Sequence, residues 1–584
     1  MSDVLGLAQS LRKLSDSQLA QLCRRCLVQP NHLKDFFDLA EQLLAPKSIQ
    51  AWLASQNGQR LLSLNQSPTA TSSADPLFEY VAKRLKTDPK SLGENLQQAL
   101  SNLAAAPRLS LVIDGFQQEA GAPPSELDEY DAKDAGIRAF LACQALTEFV
   151  FELEHKLLSE VGKAGLALPE VKRFASLLGI EREQVRELWD LAHFNNLVAL
   201  QDSRWVLGGT AAKWLEASVA RRWQMAVESW LELVGNDAAK DLANEIMAGE
   251  PRTFAEILAR VYPLADTTPG SRGAKLTDQA ELLGLTSKGR IQPWLLAALE
   301  ANLEGAASAI SDYFPQQQTK VILQADLSLV APGPLAEKTE NELREFVEAD
   351  SIGLASHFRI SALSLSYAME RGHSTEQIRA SLLKLSGQPL PQPVDYLLND
   401  TARRFGRIKV VADRDGGSFI RVADSTLALE LVNDLRHRII ALRQLEPELL
   451  YSKYSMDVVY YTLRDFGHLA VRSTEDGKVI APVKLSQLAK AAAKTDAIEA
   501  MIERLRNAES KSEAGDDESK LRQLQLAIKN KATIRVIYSG KDGAQHEFVL
   551  EPVGVANGRL RARDRKADIE RTLPLANIVS LELA

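Results

Sequence analysis

Cys23-Arg-Arg-Cys26 carries a spacing that chemistry uses, either as a dithiol redox couple or as half of a zinc site. A zinc site needs two further ligands. No second Cys-x-x-Cys and no histidine pair at ligand spacing stand nearby, so the segment reads as a helix with both thiols turned to the core. With Cys143 the cysteines number three, too few for a disulfide framework in a chain of 584 residues. Phosphate chemistry is the next candidate. A nucleotide-driven motor cradles phosphates with a GxxxxGK[ST] loop and holds magnesium with a hydroxyl and an acidic group. "GSRGAKLT" at 270–277 and "GLTSKGR" at 284–290 have the wrong spacing, and Asp128-Glu129-Tyr130 sits in an acidic stretch rather than after an apolar strand. Asp114 in "LVIDG" reads as a turn. The eight histidines are scattered, without HExxH, and neither GxSxG nor GxGxxG occurs. The expectation is therefore a chain with no catalytic residues, no metal and no cofactor, which does not hydrolyse ATP by itself.

Basic residues are the remaining candidates. The chain is acidic overall, with a net charge of −8, which argues against a surface coated for nucleic acid and leaves room for a local patch. Such a patch falls at 359–443, where positive charges outnumber negative by about four. Ser361 starts a helix that Gly372 ends. Ser374 and Gln377 form a capping box for the next, which Gly387 ends, and Pro393 lies in the first turn of a third helix running to Phe405. The strands "RIKVV" and "SFIRV" around Asp415-Gly416-Gly417 then form a hairpin wing. A winged helix with a basic wing places DNA contact on Arg403, Arg404, Arg407, Lys409, Arg421, Arg436 and Arg438.

An earlier segment, 155–215, has the same order of signals. Leu157 to Val161 closes one helix, Pro169 to Leu178 and Glu181 to Asn195 form two more, and Val198 to Leu207 reads as a wing around Asp202-Ser203. With Val185, Leu188, Trp189 and Ala192 inward, the third helix turns Glu183, Arg186, Glu187, Asp190 and His193 outward, an acidic mixture unsuited to phosphate and better suited to a structural or protein-binding role. Trp214, Trp223 and Trp230, which follow, read as helical core.

The elements that position these residues follow from composition and periodicity. With 45% hydrophobic and 25% charged residues, the chain is long enough for roughly four to six domains. No apolar run approaches a membrane span, and the start "MSDVLGLAQSLRKLSD" lacks a basic region followed by an apolar one, so a cytoplasmic location is expected. Breaks in composition separate a helical region at 1–63, a helical region with an acidic loop at 76–150, the winged-helix-like segment at 155–215 and a helical region at 216–312. Beyond 475, a helical segment at 476–505 and a flexible linker at 506–519 lead to a C-terminal module at 520–584. The fold class is mainly α with α+β modules, multi-domain, built from winged-helix domains and a small C-terminal β-barrel of SH3-like character.

"VILQADLSLVAPGPL" and the 358–410 stretch resemble the N-terminal helicase-associated domain of XPB-type DNA helicases, and closer still the actinobacterial helicase-associated domain proteins that carry it without a motor. The positions that carry the resemblance are Gln324-Ala-Asp326, Pro332-Gly-Pro-Leu335, Gly372-His373, Pro389 and Pro391 with Pro393, and Arg404-x-Gly406-Arg407, over roughly 319–475. The resemblance implies engagement of single-stranded, forked or distorted DNA, or of a helicase partner, in DNA repair or transcription. The last 64 residues are similar to a WYL-type domain, through Ile534-x-Val536-x-Tyr538, Glu551-Pro552 and "RTLPLANI", although Arg559-Leu560-Arg561 stands where Trp-Tyr-Leu would. This second likeness implies a ligand site at Tyr538, Arg559, Arg561, Arg563 and Arg571, with Arg571 as the ligand-facing arginine, or alternatively a ligand-responsive transcriptional regulator. Arg565 and Lys566 extend the basic cluster.

Overall fold

The computed structural model describes residues 3–26, 28–30, 33–64, 75–88, 92, 96, 100–101, 128–155, 158–161, 165–201, 204–248, 253–265, 271–434, 440–481, 497–513, 524–525, 527–528, 533–540, 545–556, 558–564, 567 and 569–583. The chain is mixed α/β and forms two compact units, one of residues 1–119, 256–273 and 495–584, the other of residues 120–255 and 274–494.

In the second unit the long helix Glu129–His155 is the central element. It begins at Glu129, so the acidic stretch at Asp128-Glu129-Tyr130 is helical from Glu129 onward, with Glu129 and Asp131 in the first turn, where acids favour the helix dipole. Phe149 on this helix packs edge-on against Phe174 and Trp189 at ring-centroid distances of 4.8 and 4.9 Å, and Trp189 packs on Trp205 at 5.2 Å. Trp214, Trp223 and Trp230 are fully buried, and their indole N–H groups donate to Thr147 Oγ1, the Leu283 carbonyl and the Leu276 carbonyl. Buried charges join the helices as well. Arg222 donates to the Trp214 and Leu215 carbonyls, and Arg344 pairs with Glu148 at 2.6 Å. Buried charges of this kind add little net stability, because the cost of taking them out of water offsets the gain from pairing.

Between Leu168 and Leu207 the helices Leu168–Leu178 and Arg182–Phe194 and the hairpin Val198–Gln201 with Arg204–Leu207 follow the expected order. Gly179 at φ +63° closes the first of these helices in the left-handed conformation that glycine adopts cheaply. The Asp202-Ser203 tip lies outside the described residues. One element differs from expectation. Leu158–Val161 is a strand, not a helix end, because it pairs with Arg204–Trp205 and with Gly165–Leu166, giving a four-stranded sheet. Of these partners Arg204–Trp205 lies more than forty residues on, and no local pattern announces it.

From 319 to 481 two sheets alternate with helices. Ile322–Leu323, Ser328–Ala331, Ser356–Arg359 and Glu348–Ser351 form the first, in that spatial order. Its edge strand is shorter than the run Val321-Ile322-Leu323 suggests: Val321 is buried, whereas Ile322 is exposed. The second sheet holds Arg443–Glu446, Leu449–Ser452, Ser418–Val422, Ile408–Ala412 and Ala470–Ser473, in that order, and packs its inner face on the helices Ser425–Asp434 and Met456–Asp465.

In the first unit the helices Asp3–Arg12 through Pro76–Thr87 share one core with the helix Ala497–Glu513 and the C-terminal sheet. Residues 506–513, expected as flexible linker, continue that helix. Arg506 accounts for this by donating to the Arg12 and Leu14 carbonyls and pairing with Asp16 at 3.1 Å, which anchors the helix to the N-terminal region. Cys23 and Cys26 are buried, as the helical reading has it, and burial pushes the Cys23 thiol up to about 12. The C-terminal strands form an open five-stranded antiparallel sheet rather than a closed barrel. Their order is Ile569–Pro574, Arg559–Asp564, Gln545–Ala556, Ile534–Ser539, Ile578–Leu583, and among the described residues the two edge strands do not pair with each other. Among the described residues no helix is long and apolar enough to cross a membrane.

Candidate nucleic-acid interface

Local chemistry builds the 359–443 region much as the residues predict. The Ser361 and Ser374 side chains cap the helices Ala362–Glu370 and Thr375–Ser386, each with its own backbone N–H donating in return to the side chain of the third helical residue, and Gly387 at φ +68° ends the second. Pro391 and Pro393 open the helix Gln392–Arg404, and Gly406 at φ +73° turns the chain into the hairpin. Ile408–Ala412 then pairs in full register with Ser418–Val422, around a turn closed by the Asp413 N–H to Gly417 carbonyl bond at 2.9 Å.

Each candidate cation now has a distinct environment. Arg403 is exposed and bonds to nothing among the described residues. Arg404 faces Asp400 one turn back, at 3.7 Å. Arg407 is paired with Asp424. Asp424 also caps the helix Ser425–Asp434, and its carboxyl is held below its ordinary value, first by the Leu427 N–H and then by Arg407. Lys409 and Arg421 stand directly opposite each other across the hairpin, so the fold brings these two together. Both donate to backbone carbonyls of one loop, Lys409 to Gly477 at 2.9 Å and Arg421 to Glu475 at 2.8 Å. Arg436 and Arg438 lie outside the described residues. Asp424 and the 475–477 carbonyls are partners that charge counting does not find. Only Asp424-Ser-Thr, a helix-start signature, offers a signal for the first.

The outward side of the helix Arg182–Phe194 is already engaged within the protein. Asp190 pairs with Lys275 at 2.7 Å, and Glu187 accepts from Gln279 Nε2 at 3.1 Å.

The C-terminal candidates divide between two faces. Arg559, Arg561 and Arg563 alternate along one strand and share its exposed side. Arg571 stands opposite Ala562, so it shares that residue's side instead, where it pairs with Asp564 at 2.8 Å and covers the Phe548 ring at 4.4 Å. Tyr538 lies on this second side, its ring 6.5 Å from Phe548 and its hydroxyl accepting from Asn577 at 3.4 Å. Asp564, Phe548 and Asn577 are thus the neighbours that the sequence pattern misses. Arg565 and Lys566 lie outside the described residues. Among the described residues no group of His, Cys, Asp or Glu side chains is arranged to hold a metal ion.

The family model described as "Helicase conserved C-terminal domain" matches residues 321–446, which take in the first sheet, the three capped helices and the hairpin. This match supports a helicase-associated domain in that part of the chain. No curated protein matches the sequence.

Proposed function

We propose that the chain is a non-catalytic, DNA-associated accessory or regulatory protein whose 319–475 region, of the XPB-associated kind, engages DNA or a helicase partner in repair or transcription. The observation that carries this is the helicase-family match over 321–446. It falls on the segment whose positive charges outnumber its negative ones in an otherwise acidic chain. The order of three helices and a hairpin there supports a winged-helix docking mode, with Arg403 at the end of the third helix reaching phosphate first. The earlier segment repeats that order, but its outer helix face is tied to Lys275 and Gln279, so it serves as a structural winged helix.

A second function class draws on the C-terminal sheet. There Phe548 sits between Arg571 and Tyr538, an aromatic and cationic grouping suited to a nucleotide-like ligand in a WYL-type regulator. Fluorescence anisotropy of the full chain against single-stranded, duplex and forked DNA at two salt concentrations tests the first proposal. Salt-sensitive binding supports its DNA arm, and absence of binding to all three removes that arm and leaves only engagement of a helicase partner. Strong preference for one duplex sequence favours the regulator. ATP hydrolysis by the lone chain, with or without DNA, refutes the non-catalytic assignment.

A further inference from the structure

The second sheet of the 319–481 region has two unlike faces. Ile408, Val410, Ile420, Val422 and Leu450 point inward and are buried beneath two helices. Alternation places Lys409, Phe419, Arg421, Leu449 and Tyr451 on the other face, and the register lines them up. Phe419 stands beside Tyr451, with ring centroids 5.4 Å apart, and Arg443 stands beside Tyr451 on the next strand. In the adjacent row Lys409 stands beside Arg421. The loop from 474 to 480 covers the side of this face next to Ala470–Ser473. Phe419 and Tyr451 stay half-exposed, and Arg421 and Arg443 stay exposed.

The cations on this face form no ion pair among the described residues, although the register sets Glu446 opposite Leu449 at the far end of the Lys409–Arg421 row. Lys409 and Arg421 donate to neutral carbonyls and Arg443 bonds to nothing among the described residues, whereas Arg404 and Arg407 near the helix end each face a carboxylate. Two adjacent rings flanked by cations that form no ion pair are the ingredients of a stacking surface for unpaired bases, with the phosphates drawn to the cations. Gly417 keeps the surface flat. A Cβ there would come within 2.5 Å of the Tyr451 hydroxyl and lift the ring.

We infer that this outer face is a binding site for single-stranded DNA, with bases stacked on Phe419 and Tyr451 and phosphates held by Arg421, Arg443 and Lys409. This rests on the nucleic-acid proposal above and specifies a second contact, separate from the helix end at Arg403. The polar side chains beside the two rings are the three cations and the Tyr451 hydroxyl, with Glu446 at the far strand. They suit phosphate contact and stacking rather than readout of a ribose 2′-OH, which is why DNA is the committed occupant.

The test is anisotropy of the full chain with an oligothymidylate of about 12 nucleotides, with the matching oligouridylate and with a duplex, across a salt series. Replacing both rings, Phe419→Leu with Tyr451→Leu, is expected to weaken oligothymidylate binding about fivefold or more, the low end of what one stacked base contributes, while leaving the salt slope unchanged. Tyr451→Phe, which keeps the ring, is expected to bind as the wild type does. Arg421→Ala is expected to lower the single-strand slope by about 0.7, and this exposed position keeps the test alive if the double variant fails to fold. Wild-type affinity in a folded double variant, with the Arg421→Ala slope unchanged, overturns the site and leaves the broader proposal standing. Oligouridylate binding tenfold tighter than oligothymidylate overturns the choice of DNA. No salt-sensitive binding by the wild type to any of the three overturns both.

Discussion

Arg403 and Arg407 lie four residues apart and count equally in any charge tally, yet the structure assigns them opposite fates. Arg403 is exposed without a partner among the described residues, and Arg407 is held by Asp424. A cation that reaches phosphate releases condensed counterions, so each contact with duplex DNA adds about 0.9 to the slope of log affinity against log salt. Between 50 and 200 mM salt one lost contact therefore changes the ratio of affinities by a factor of about 3.5. Arg403→Ala is expected to lose that factor. Arg407→Ala is expected to change the slope little, because a side chain already neutralised by a carboxylate releases few counterions. Asp424→Asn makes the sharper test. Asparagine keeps the cap on the Leu427 N–H, since it ranks with aspartate as a helix N-cap, but it removes the charge and frees Arg407 for phosphate. The slope is then expected to rise by about 0.9 over the wild type. Anisotropy titrations of labelled duplex DNA at four or more salt concentrations measure it, with circular dichroism confirming the fold of each variant. Equal slope losses for Arg403→Ala and Arg407→Ala, together with no gain for Asp424→Asn, would show that ion pairing within the protein does not select the contact residue.

Other expectations concern stability and reactivity. Arg464 pairs at 2.7 Å with Glu370, whose side chain is fully buried and also accepts from the Tyr460 hydroxyl. Arg464→Ala should therefore destabilise the unit by roughly 3 to 5 kcal/mol near pH 8, and by less near pH 5, where Glu370 can take up a proton; urea unfolding at both pH values measures the difference. Burial, opposed by Arg464 and Arg371 respectively, raises the Glu370 and Glu154 carboxyls to about 7 from an ordinary 4.5. A raised carboxyl contributes stability that is fully present below the ordinary value and is lost as pH rises through about 7, so the melting temperature should fall between about pH 5 and about pH 8. Glu370→Gln should flatten that fall, and a wild-type melting temperature rising across this window would contradict it. Burial also raises the Cys23, Cys26 and Cys143 thiols, the first and last to about 12, so a thiol-specific reagent at pH 8 should label none of them in the folded chain and all three in denaturant.

What the sequence by itself determined is what neighbours in the chain decide. The Ser374 capping box, the left-handed Gly387 and Gly406, the prolines that open Gln392–Arg404 and the turn at Gly416 each satisfy backbone groups within about four residues, so residue type and spacing suffice. The alternation in "SFIRV" likewise sends Phe419 and Arg421 to one face before any partner strand is known. Tertiary structure alone decided the rest, because those contacts join residues with no fixed separation. Asp424 reaches Arg407 from 17 residues away, and the 475–477 carbonyls meet Lys409 and Arg421 from more than 50. Leu158–Val161 becomes a strand through Arg204–Trp205, and Ala497–Glu513 runs into the expected linker because the N-terminal helices accept it. Arg571 falls on the opposite side from Arg559, Arg561 and Arg563 because strand pairing sets it against Ala562. Composition marks where basic side chains cluster; which of them still carries an uncompensated charge depends on carboxylates and carbonyls delivered from elsewhere in the chain.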